Sequence, residues 1–69
     1  MKIKYFPDTD TALIEFGVNS VVETKEISED IYVDFDTDGR LVSMTIEHAK
    51  TAAQIKELTF QEIIGTTAA

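Results

Sequence analysis

Between Ile31 and Glu47 the chain reads IYVDFDTDGRLVSMTIE, two alternating runs on either side of Asp36-Thr37-Asp38-Gly39. Alternation of period two describes a strand with one covered face, and an Asp-Gly turn between two such runs describes a β-hairpin. On this reading Ile31, Val33 and Phe35 face a core, while Tyr32, Asp34 and Asp36 face outward. After the turn, Val42, Met44, Ile46 and His48 share the inner face, and Leu41, Ser43, Thr45 and Glu47 share the outer one. A chain built on this hairpin is a sheet protein, and its remaining segments must supply the neighbouring strands and a cover.

The preceding residues supply strands. Lys2 to Phe6 alternate, Pro7-Asp8-Thr9-Asp10 interrupts, and Ala12 to Phe16 alternate again. Proline removes a ladder donor and Asp and Thr favour turns, so these segments predict a first hairpin. Gly17-Val18-Asn19-Ser20 is a second turn; Val21 to Ile27 read as a third strand on two valines and a threonine, with helix as the competitor because Glu23, Lys25 and Glu26 are good helix formers. Its central charges, Glu23, Lys25 and Glu26, place it at an edge or on a solvated face.

From Ala49 the period changes. Ala49, Ala52, Ala53, Ile55 and Leu58 approximate a helical stripe, and the alanine content favours helix over strand. Residues 49–64 therefore read as a helical segment. It is either one continuous helix or a helix followed by a second short turn that starts at the capping box Thr59-Phe60-Gln61-Glu62 and ends at Gly65. Residues 65–69 read as a frayed tail. The predicted fold is a single α+β domain: an antiparallel β-meander of about five strands over residues 1–48, with a C-terminal helix packed on one face.

Sixty-nine residues with no cysteine must hold this fold together without disulfides or thiolate metal sites. A chain this short buries only about 60% of its extended-chain surface, so its stability margin is thin. Either the core suffices or a second copy helps, and a homo-oligomer is the expectation. Thirteen acidic residues against six basic ones give a formal net charge of -7. That field repels phosphate backbones and anionic membranes, which argues against direct nucleic-acid or membrane binding and favours a basic protein partner. The opening MKIKYFPD has no apolar run of signal-peptide length, and no stretch approaches a membrane span, so a cytoplasmic location is expected.

Candidate chemistry is sparse. Asp34, Asp36 and Asp38, followed by Gly39, match the first six positions of a calcium-binding loop of the EF-hand type. The twelfth position, where a bidentate glutamate belongs, is Thr45, and the flanks read as strands rather than helices. A polar hairpin turn is the preferred reading, with a weak surface site for calcium or another divalent cation, held by the three aspartates, as the alternative. His48 is the single histidine, expected to be partly packed where strand gives way to helix; a site of two histidines would need two copies of the chain. No cysteine, no nucleophile elbow around Ser20, Ser28 or Ser43, and no glycine-rich phosphate loop are present. The expectation is a protein that is not an enzyme, with no cofactor. Phe6 and Tyr32 fall on the face opposite the main core, and outward aromatics on a small sheet are candidate interface anchors.

Several fragments in order resemble one family: Tyr5 with Asp8-Thr9-Asp10, Ala12-Leu13-Ile14, Glu23-Thr24, Glu26-Ile27 and Asp30-Ile31. They continue through Val33-Asp34-Phe35-Asp36, Asp38-Gly39, Leu41-Val42 and Ile46. The chain is similar in these to the short bacterial and archaeal proteins grouped as domain of unknown function 2283, over roughly its first three-quarters. The resemblance implies a β-meander with no assigned chemistry and, through members encoded beside a small toxin, an antitoxin-like binding role. The chain departs from the family pattern at Ser43, often glycine, and at Thr45, often glutamate. The functional expectation is a small acidic protein-interaction module, with a cation-binding module or a purely structural domain as alternatives.

Overall fold

Five short strands hydrogen-bond into one antiparallel sheet in a computed structural model that describes residues 1–65. They are β1 (Lys2–Phe6), β2 (Thr11–Glu15), β3 (Glu23–Ser28), β4 (Ile31–Phe35) and β5 (Leu41–Glu47), followed by α1 (Ala49–Ala52). The α+β architecture expected from the alternation is the one observed.

The strand order is β1-β2-β5-β4-β3. Hairpin β1–β2 and the run β3–β4–β5 thus join where β2 pairs with β5, and the last strand in sequence lies at the centre of the sheet. Its seven residues carry the longest alternation, and it pairs on both sides. Tyr5, Ala12, Ile46 and Ile31 form one cross-strand row on the core face, and Ile3, Ile14, Met44 and Val33 form the next. β3 lies at an edge with all six residues exposed, as its charges predict.

The core is small. Ala12, Ile46 and Ala49 form its buried cluster, with Tyr5, Ile14, Met44 and Ile55 packed against it. Asp10 ties α1 down at this end. Its carbonyl accepts from the Ala49 N–H at 2.9 Å, and its Oδ1 accepts from the Lys50 N–H at 3.1 Å and the Tyr5 hydroxyl at 2.7 Å. Asp10 and His48 are both left-handed, at φ 54° and 53°, and these two bends fold the β1–β2 turn and the β5–α1 corner against each other.

The structure departs from the predicted elements in three places. The helix is one turn rather than a segment over 49–64: Ala53 is extended at φ −154°, and residues 54–65 form neither helix nor strand. A short helix is marginal unless its apolar face packs, and only Ala49 in α1 is buried. The capping-box residues Thr59 to Glu62 therefore cap nothing, although Gly65 does take the left-handed conformation at φ 71°. Residues 66–69 of the expected frayed tail lie outside the described residues.

Second, Asp36, expected to face outward, is buried at 5% exposure. The register slips by one residue between Asp34↔Ser43 and Phe35↔Leu41, so Val42 is an extra residue and strict alternation fails beside the turn. Adjacent Val42 and Ser43 are both buried as a result. Third, His48 is not packed on the inner face: its side chain is 73% exposed, because the left-handed backbone swings it out of the strand.

Candidate interaction surface

The face opposite the core cluster carries a row of Lys4, Leu13, Thr45, Tyr32 and Glu26, one residue from each strand. Tyr32 is therefore on the outward face, as the alternation predicts, and it is half-buried there. Glu47 and Glu26 lie close enough to hold its phenol above the ordinary value, since an ionised tyrosine beside carboxylates is disfavoured. Phe6 shares this face and is 48% exposed, but it sits on β1 at the far edge. Three strand spacings, roughly 14 Å, separate it from Tyr32. The two aromatics are parts of one face without touching.

Beside this row, Asp34 is held by two hydroxyls: Thr24 donates to Oδ1 at 2.6 Å and Ser43 donates to Oδ2 at 2.6 Å. Both partners come from the strands flanking β4, so the carboxylate stitches three strands together. The Ser43 hydroxyl thus has a definite use as a fastener of β5 to β4.

Asp36 organises the hairpin turn. Its Oδ1 accepts from the N–H groups of Asp38 at 2.8 Å and Arg40 at 2.9 Å, and its Oδ2 accepts from the Asn19 amide at 2.8 Å. These bonds, the Asn19 amide foremost, favour the ionised form and lower its pKa. Gly39 closes the turn at φ 78° by donating to the Asp36 carbonyl at 3.1 Å. Asp34 and Asp36 are thus engaged as strand and turn fasteners, while Asp38 is exposed and contributes its backbone N–H. No group of three or more His, Cys, Asp or Glu is placed to hold a metal ion among the described residues.

An acidic corner adjoins Tyr32, formed by Glu29, Asp30 and Glu47 around His48 and Thr51. His48 Nδ1 lies 2.9 Å from Asp30 Oδ1, and that hydrogen bond raises the imidazole pKa above 6.5. The Tyr5–Asp10 bond has paired effects on the other side of the corner, lowering the Asp10 carboxyl and raising the Tyr5 phenol. Asn19, Thr24 and Asp10 gave no sign of these roles in the sequence, because each acts on a residue brought to it by strand pairing or by a loop crossing the sheet. The Asp36 fastening was in principle readable, since an aspartate opening an Asp-x-Asp-Gly turn commonly accepts from its own turn's backbone.

The class these features define is a single-layer antiparallel sheet domain, fastened by carboxylate–hydroxyl and carboxylate–amide bonds. A family model described as Protein of unknown function (DUF2283) matches residues 2–50, and the chain belongs to that family. The matched segment holds all five strands and the first residues of α1 and leaves residues 51–69 outside. No curated protein and no solved structure matches the chain. No helix among the described residues is long and apolar enough to cross a membrane.

Proposed function

We propose that this protein is an interaction module that self-associates and, in an antitoxin-like role, engages a basic protein. The observation that carries the reading is the sheet's incomplete cover. One helical turn and Ile55 lie over one end of the core face, and no large side chain among the described residues is fully buried. Leu58, Phe60, Ile63 and Ile64 extend beyond the sheet at 67–83% exposure. The accessible surface is 5568 Å². A compact monomer of this mass exposes about 4,300 Å², so the excess is on the scale of the ~800 Å² that each partner contributes to a standard interface. A second chain is the natural cover for apolar surface of this kind.

The acidic surroundings of Tyr32 support the second half of the proposal. An aromatic ring flanked by Glu26 and Glu47, with Asp30 nearby, offers a contact surface and a negative field to a lysine- or arginine-bearing partner. Binding in place of catalysis fits a molecule whose carboxylates fasten strands and turns.

Light scattering on the purified chain tests the reading. The expected result at micromolar concentration is a mass of twice 7.7 kDa or a higher multiple. A 7.7 kDa species at every concentration tested contradicts self-association.

A further inference from the structure

The sheet has two free edges, β1 and β3, and they differ in how they treat a second copy. Antiparallel pairing of two identical strands about a two-fold axis places residues with a constant sum of numbers opposite each other, on the same face. On β1, registers centred on Lys2, Ile3 or Lys4 all set lysine against lysine, so this edge is guarded. On β3, centring on Lys25 or Glu26 also opposes like charges. Centring on Thr24 does the reverse. It sets Glu23 against Lys25 twice, sets Val22 against Glu26 twice, and leaves Thr24 facing its own copy.

The backbone agrees with that register. The Phe35 carbonyl, which accepts from Val22 at 2.9 Å, points toward β3, so its register partner Glu23 and the next alternate residue Lys25 bond to β4, and the N–H and C=O groups of Thr24 and Glu26 point away from the sheet. In the Thr24-centred register Thr24 faces its own copy as a hydrogen-bonded pair, and Glu23 and Lys25 face each other as the closer, non-hydrogen-bonded pairs. At the two ends of the paired stretch, Val21 at 47% and Ile27 at 61% exposure lack cover in the single chain. Asp34 holds Thr24 in place from the adjacent strand.

We infer that β3 is a dimerisation edge: two copies pair through their β3 strands, centred on Thr24, into one continuous ten-stranded sheet. The inference rests on the self-association proposed above and specifies its geometry. It leaves the acidic corner around Tyr32 free for a different partner.

The chain has no cysteine, so single introduced thiols report the register cleanly. In the Thr24-centred pair the two Thr24 Cα atoms are about 5.5 Å apart, within the range a disulfide spans. Thr24→Cys should therefore oxidise to a covalent dimer at least about tenfold faster than Lys25→Cys or the β1 control Lys4→Cys, by the proximity argument. Lys25→Glu and Glu23→Lys should each weaken dimerisation on the order of tenfold, and the double variant that exchanges the two charges should restore it. Far-UV circular dichroism checks that each variant folds, and the two reversals back each other up. Equal oxidation rates for Thr24→Cys and Lys4→Cys, or failure of the exchange to restore pairing, overturn the edge assignment. A wild-type dimer accompanied by either result leaves self-association standing through another surface, whereas a wild-type monomer removes both.

Discussion

Gly39 shows how one residue settles the turn at the centre of the fold. A left-handed φ of 78° is free for glycine and strained for alanine, and no atom lies within 4 Å of where a Cβ would stand. The effect of substitution is therefore purely conformational. Gly39→Ala should destabilise the protein by about 1–2 kcal/mol, and Gly39→Asn by less, since asparagine tolerates this region. Urea midpoints of the two variants check this. Equal losses, or a larger loss for asparagine, would mean that tolerance of the left-handed backbone does not set the effect. The same turn explains why the three aspartates drew attention in the sequence. An alternate-aspartate run followed by glycine is shared by cation loops and by aspartate-fastened hairpins, because both need acceptors for a tightly curved backbone. Spacing alone does not separate them; the direction of the neighbouring N–H groups does.

At the scale of elements, the corner where β5 meets α1 is held by charge as well as by packing. His48 and Asp30 link the end of β5 to the β3–β4 turn across an exposed site. The imidazole pKa is raised in the folded state, so the pair's contribution is fully present below the ordinary value of 6.5 and is lost as pH rises through the raised value. Stability should therefore decline modestly as pH climbs above 6.5, and Asp30→Asn should flatten that slope. Denaturant midpoints across this range, with the His48 ring followed by NMR, check it. An unchanged slope in Asp30→Asn would assign the dependence elsewhere.

Four of the five strands were legible in the sequence because alternation reports a covered face directly, whereas β3 covers neither face and was read from its β-branched residues and central charges, which left an edge or a solvated face open. The helix was overread. Ala49 to Leu58 has the composition of a helix, but composition does not reveal whether anything lies beneath the stripe, and only the first turn found a surface. The buried positions of Asp36 and Ser43 depend on the one-residue slip at Val42. That slip comes from how the turn closes and leaves no mark in the apolar pattern. Phe6 and Tyr32 were placed correctly on the outward face, yet their separation depends on the strand order, which alternation does not encode.

For the whole molecule, stability and association are two views of one equilibrium. If a second copy covers surface that the single sheet leaves bare, the folded state is favoured by mass action, and the midpoint of thermal unfolding should rise with protein concentration. Calorimetric scans over a hundredfold dilution series, about two decades, measure that dependence. A midpoint independent of concentration would show a chain whose small core suffices alone. The charge of -7 acts in the opposite sense, since bringing two acidic chains together is easier when salt screens them; the dimer should tighten at higher ionic strength even though its edge pairs weaken.

The central place of β5 bears on how the protein is made. β1 and β2 leave the ribosome first, but a lone two-stranded hairpin is marginal in water, and the partner that β2 pairs with is the last strand to be synthesised. Glu47 pairs with Thr11 and Ala49 bonds to Asp10, so the first hairpin stays provisional until nearly fifty residues have emerged. The sheet therefore closes in one step once β5 has emerged and inserts between β2 and β4, joining two hairpins that are each marginal alone.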